Sequence, residues 1–336
     1  MLKAYNKTRW GLGLACMSLG FSGCSEETDP AQYLQNLRII AAEVTPLELG
    51  PQTPVELRAF VHIPEGDTLI EESWSFCPVS LGAFGNFECI APSCEFCVYH
   101  AGEAESGTED ICAPDTCDAN CSEQVDEEGA TGNCDAAQDT AWRPTLSIQP
   151  ADYFLSCFSD LGGSSSAATS GLTDSDSIPE SIEILFRYTA RTDSGEKRQA
   201  LVRVPFWTSE SPEAINQPPQ AAKVSVNGSE LSCGDVLPAV EEGEELIFKI
   251  EVEESSLDLI ANADQDGERK EDIFASYFTT AGRFDKSVTD GLVMESSWEA
   301  RRLEEGQNEA AIHIVLRDER GGQQVLGPYR VPIKGQ

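Results

Sequence analysis

Ile182-Glu183-Ile184-Leu185-Phe186-Arg187-Tyr188, a turn at Asp193-Ser194-Gly195, and Ala200-Leu201-Val202-Arg203-Val204-Pro205 decide the fold. Apolar residues recur at every second position, so one face of an extended strand is buried while the other meets polar surroundings. The same ending returns at the C-terminus. There Ala311-Ile312-His313-Ile314-Val315-Leu316 turns at Arg320-Gly321-Gly322 into Val325-Leu326-Gly327-Pro328-Tyr329-Arg330-Val331-Pro332. Strand, glycine turn, strand and proline occur twice, which makes the chain two related halves.

The halves also begin alike. Leu37 to Val44, Val55 to Val61 and Ser73 to Cys77 alternate in the first; Lys223 to Val226, Leu246 to Val252 and Ile273 to Phe278 repeat that order in the second. With closely spaced turns and no sustained helical period, each half reads as an antiparallel β-sandwich of about seven strands. Trp74 and Tyr277 are the expected core aromatics. Pro212, Pro218 and Pro219 mark residues 209–220 as a stiff linker.

At the other end, Lys3, Lys7 and Arg9 precede an apolar run from Trp10 to Phe21, followed by Ser22-Gly23-Cys24. Phe21-Ser22-Gly23-Cys24 resembles the lipoprotein box of bacterial envelope proteins. The resemblance implies export, removal of residues 1–23, lipid attachment at the Cys24 thiol and a membrane anchor. Ser25 resembles the second mature residue of lipoproteins sorted to the outer membrane. Residues 24–35 read as a tether. The polar run Ser25-Glu26-Glu27-Thr28-Asp29 ends the apolar stretch well short of the roughly 20 residues a transmembrane helix needs.

The 336 residues carry a formal net charge of −35, which opposes nucleic acid as a partner, because phosphate binding relies on clustered Lys and Arg. An excess of Asp and Glu instead keeps an exported chain dispersed. With Cys16 removed and Cys24 lipidated, ten of the twelve cysteines remain: Cys77, Cys89, Cys94, Cys97, Cys112, Cys117, Cys121, Cys134, Cys157 and Cys233. In an oxidising envelope an even set reads as disulfides. Eight of the ten fall in residues 78–180, an acidic insertion that a simple sandwich does not need. Nine lie in the first half, so complete pairing requires a bridge from Cys233 to that half, with Cys77 or Cys157 as its partner.

Cys94-Glu95-Phe96-Cys97 has the spacing of a redox or zinc pair, with His100 nearby, but no βαβ pattern surrounds it and disulfides compete for the sulfurs. Asn262, Asp264, Asp266 and Glu268 alternate oxygen ligands around Gly267 and resemble the start of a calcium loop. The twelfth position, where such a loop takes a bidentate Glu, is Ile273, and Lys270 occupies the ninth, which favours an interstrand turn. His62 and His313 fall on strands without a nucleophile pattern and read as ordinary strand residues. Asn227-Gly228 reads as a two-residue hairpin turn rather than a glycosylation site.

The strand pattern, the aromatic third strand, the Asp264-Gln265-Asp266-Gly267 loop and the Arg317-Asp318-Glu319-Arg320-Gly321-Gly322 hairpin resemble the Ig-like repeats, PKD-type domains included, of bacterial surface lipoproteins. The resemblance implies an all-β fold of two Ig-like sandwiches, 36–208 with its Cys-rich insertion and 221–336. It implies spacing, adhesion or assembly with an envelope protein or extracellular ligand, without catalysis. A calcium-dependent adhesion module and an enzyme with a carboxylate pair are the alternatives.

Overall fold

The computed structural model describes residues 32–50, 53–83, 87–90, 95–102, 140–142, 146–148, 181–207, 216–261, 267–301 and 307–334. The first half contributes β1 (Arg38–Thr45), β2 (Val55–His62), β3 (Leu69–Cys77), β4 (Phe96–Gly102), β5 (Thr140–Trp142), β6 (Leu146–Ile148), β7 (Ser181–Thr192) and β8 (Lys197–Trp207). β1 pairs with β2, whose other edge carries β5 and β6; the facing sheet runs β4-β3-β7-β8. All these pairings are antiparallel. Val44, Leu57, Trp74, Phe186 and Val204 fill the space between the sheets.

The second half contributes β9 (Ala221–Val226), β10 (Ser229–Glu230), β11 (Val240–Glu241), β12 (Glu245–Val252), β13 (Leu259–Ala261), β14 (Glu268–Lys270), β15 (Phe274–Thr279), β16 (Arg283–Phe284), β17 (Val288–Asp290), β18 (Val293–Glu299), β19 (Glu309–Arg317) and β20 (Gln323–Lys334). One sheet runs β10-β9-β12-β18-β16 and the facing one β11-β20-β19-β15-β17. β11 lies parallel to β20, and β13 pairs with β14 as a separate ribbon. Phe248, Tyr277, Phe284, Trp298 and Tyr329 dominate this core.

The repeated strand order is a repeated topology. The first two long strands of each half pair together, the third crosses to the other sheet, and there it pairs with the first strand of the hairpin that closes the half. β4 flanks β3 as β17 flanks β15, and β5 and β6 flank β2 as β18 flanks β12. Three strands within 78–180 therefore belong to the sandwich, correcting the expectation that this region is dispensable to it. β5 and β6, of three residues each, are too short to show a period. In β4 the spacing of Cys97 from Cys94 suggested other chemistry.

Local geometry follows residue type. Asn227 and Gly228 both take positive φ, 47° and 81°, as the tightest hairpin turn requires, and β10 folds back on β9 from there. Gly282 has φ +75°, and a Cβ on it would stand 2.3 Å from the Trp298 ring, so only glycine lets the chain pass this close to the core indole. The Trp298 Nε1 donates to the Ala281 carbonyl at 3.0 Å, which satisfies the one polar atom of a fully buried side chain.

Strands β1 and β2 were expected to be half-buried, yet Ile40 to Val44 and Ala59 to His62 are buried without interruption. Their second face packs on the outer face of the β15-β19-β20 sheet. Ile40, Ala41 and Phe60 meet Val315 and Val325 there, with Leu34 at the margin. The Arg317 guanidinium donates to the Ile40 carbonyl at 2.8 Å, and the Gln323 amide donates to the Ala42 carbonyl at 2.9 Å. The last residues of the expected tether join in: Leu34 N donates to Thr279 O, and Thr279 N donates to Gln32 O. Ala31–Gln336 is accordingly one compact unit.

Candidate functional site

Two constructions use side chains beyond those a sandwich core needs. The first lies on the outer face of the β4-β3-β7-β8 sheet. Cys77, at the end of β3, is bonded to Cys89, with 5.8 Å between their Cα atoms, and the pair packs with Leu185, Phe87 and Phe96. Arg187 on β7 forms an ion pair with Glu95 and donates to the Phe87 carbonyl at 3.1 Å, while Ser75 Oγ donates to the same Glu95 at 2.9 Å. Arg203 on β8 stacks over the Phe87 ring at 5.8 Å. A disulfide, a half-buried ion pair and a cation over a ring thus clamp the start of the Cys-rich region onto the sheet.

The second construction is built on Arg320, at the turn between β19 and β20. Its guanidinium reaches Glu48 at 3.5 Å, Glu271 at 3.3 Å, Asn216 Oδ1 at 2.7 Å and Asp258. These partners come from the first half, the linker and the second half, so one planar fork ties three segments of chain. The turn is preset by Asp318, whose Oδ1 accepts the backbone N–H groups of Arg320 and Gly322 at 2.8 and 2.7 Å. Burial pushes the Glu271 carboxyl up, Asp318 adds to that rise, and Arg320 partly offsets it. Glu48 also accepts from Trp207 Nε1 at 3.2 Å. A recess of about 470 Å³ opens beside this hub, bordered by Leu47, Glu48, Arg203, Asn216, Asp318 and Arg320.

This arrangement is suited to holding chain segments together. The Arg320 guanidinium is surrounded by acceptors from all three segments. Among the described residues no group of three or more His, Cys, Asp or Glu is placed to hold a metal ion.

Of the residues singled out in the sequence, Cys24, Cys94, Cys112, Cys117, Cys121, Cys134, Cys157, Asn262, Asp264 and Asp266 lie outside the described residues. Cys77, offered as a partner for Cys233, is bonded to Cys89 instead, which corrects that expectation: twelve residues on, Cys89 folds back within bonding reach. Cys97 and Cys233 are disulfide-bonded as well. A sulfur in a disulfide is not a thiolate ligand, so the zinc reading of Cys94, Cys97 and His100 falls. Glu268 is exposed at the start of β14, and the neighbouring Lys270 pairs with Glu254. His62 and His313 lie on strands β2 and β19, as expected, and both are buried, with His313 packed against Phe60 of the other sandwich. Sequence reading also missed Arg320 as a hub, because a charged hairpin tip normally faces solvent.

No family model and no curated protein matches the chain. Among solved structures it is similar to the fibronectin(III)-like modules of Clostridium thermocellum CbhA, at 7% identity and a TM-score of 0.23, covering 87% of this chain and 94% of that one. It is similar to the D00-D0 domain of Intimin at 8% identity and a TM-score of 0.23, covering 89% and 99%. The Yersinia pseudotuberculosis adhesin InvE follows at 7% and 0.20, covering 90% and 61%. At such scores the fold description rests on the chain's own sheets. Among the described residues no helix is long and apolar enough to cross a membrane.

Proposed function

We propose that this chain is a non-catalytic, lipid-anchored protein of the bacterial cell envelope. Two docked Ig-like sandwiches form an arm that presents the acidic, Cys-rich region of the first to an envelope protein or extracellular ligand. The observation that carries the reading is the Arg320 hub. The charged side chains gathered at the recess hold Glu48, Asn216, Asp258 and Glu271 together across both halves, which is the work of a stiff scaffold. The Cys77–Cys89 bond supports export, since such bonds persist in oxidising compartments. The Phe21-Ser22-Gly23-Cys24 box supports lipid attachment, and an acylated cysteine with more than one chain holds a protein on a bilayer durably. The −35 net charge would keep the arm off anionic headgroups and favour a cationic partner surface.

Fractionation of cells expressing the wild-type chain and Cys24→Ser tests the anchor. The wild type is expected in the membrane fraction as an acylated chain lacking residues 1–23, and Cys24→Ser as a precursor that keeps residues 1–23 and carries no acyl group. Identical processing and acylation of the two would overturn the reading.

A further inference from the structure

The joint between the sandwiches contains a buried histidine that neither core needs. His313 lies on the outer face of β19, fully buried, with its ring edge-on to Phe60 of β2 at 5.3 Å. Among the described residues neither of its ring nitrogens has a hydrogen-bond partner. His62, two residues beyond Phe60 on the same face of β2, is buried as well.

We propose that the joint is an acid-sensitive hinge, held closed while His313 is neutral and loosened when a proton reaches it. A charge on this ring would sit in a desolvated contact of Ile40, Ala41, Phe60, Val315 and Val325, where no described residue gives its nitrogens a hydrogen bond. The groups facing it add to the difficulty. β2 brings His62, β1 brings Arg38 as the cross-strand neighbour of His62, and β19 itself carries Arg317. β15 places uncharged Phe278 opposite His313, and β5 places Thr140 beside His62. Among the described residues the carboxylates on these faces are engaged or remote: Glu43 holds Arg58 at 2.7 Å, Glu309 lies 3.7 Å from Arg330 on β20, and Glu56 is exposed at the far end of β2. Burial, with His62 second, lowers the His313 pKa to about 3, which agrees with the packing.

The sandwich cores hold neither histidine, so acid acts on the joint before it acts on either core. With 6.5 as the ordinary imidazole value, opening gains about tenfold for each pH unit below it. Hydrogen exchange measures this directly, through the amides of Leu34 and Thr279, whose bonds tie residues 32–34 to the end of β15. After correction for intrinsic exchange, their opening constant in the mature wild-type protein is expected to rise about 30-fold from pH 7.5 to 5.0. Core amides such as those of Phe248 and Trp298 are expected to stay unchanged. In His313→Leu, or His313→Met should the first fold poorly, the rise is expected to vanish. A wild-type opening constant that stays flat, a variant that rises equally, or core amides that open in step with the joint would each overturn the proposal.

Discussion

Phe60 and His313 meet edge-on with ring centroids 5.3 Å apart, joining a strand of the first sandwich to one of the second. Strands β2 and β19 are thus covered on both faces, and the linker between halves does not set their relative position alone. Phe60→Ala removes most of the aromatic surface of this contact and is expected to lower stability by about 3 kcal/mol. Urea denaturation followed by tryptophan fluorescence measures it. A separate, earlier transition for one half would show that the contact couples the two.

Arg320→Met is expected to destabilise by about 3 kcal/mol, because Glu48 and Glu271 would be left buried without their cation. Adding Glu271→Gln to that variant is expected to restore part of the loss, since it neutralises the more desolvated carboxylate. A double-mutant cycle by chemical denaturation reads the coupling, and a value near zero would remove Arg320 from its place as the hub.

Gly282→Ala is expected to cost about 2 kcal/mol or more, from an unfavourable φ and from overlap with the Trp298 ring. Gly243→Ala, at φ +89° with nothing within 4 Å of the new Cβ, serves as the comparison and should cost less. The difference in urea midpoints separates backbone strain from collision.

Stability should fall with acid in a way that depends on His313. Its pKa of about 3 in the folded protein lies below the ordinary 6.5, so between those values the unfolded chain binds more protons. The stabilisation is complete above about pH 6.5 and is lost as pH falls toward 3, at up to about 1.4 kcal/mol per unit. Glu43 and Glu271, both raised chiefly by burial, act with the opposite sign, because their folded forms take up a proton first. Denaturation midpoints at pH 8.0, 6.5, 5.5 and 5.0 should therefore drop more steeply for the wild type than for His313→Leu.

The disulfide set carries a geometric expectation. Cys233 is bonded, and Cys77 and Cys89 are bonded to each other. Of the two partners suggested by the sequence, Cys157 is left, and non-reduced peptide mapping should find Cys157 joined to Cys233. Cys77→Ser is expected to lower stability by about 3 kcal/mol, as for other bonds closing loops of this size. A Cys233 peptide linked elsewhere would contradict the pairing.

The twin hairpins were legible because β7, β8, β19 and β20 are long enough for a period of two to emerge, and Asn227-Gly228 because only one common turn suits it. The joint was harder to read. Ile39-Ile40-Ala41-Ala42 and Ala59-Phe60-Val61 do break strict alternation, the mark of a strand buried on both faces, but short apolar runs also occur in single-faced sheets. Arg320 gave no sign at all. Its partners Glu48, Asn216, Asp258 and Glu271 are separated from it by 49 to 272 residues, and only the fold brings them together.

The central claim concerns the anchor, and intact-mass spectrometry of the N-terminal peptide from envelope-purified protein tests it most directly. The account predicts a chain beginning at Cys24 with a diacylglyceryl group on its sulfur. A mature N-terminus at any other residue, or an unmodified Cys24, would contradict it.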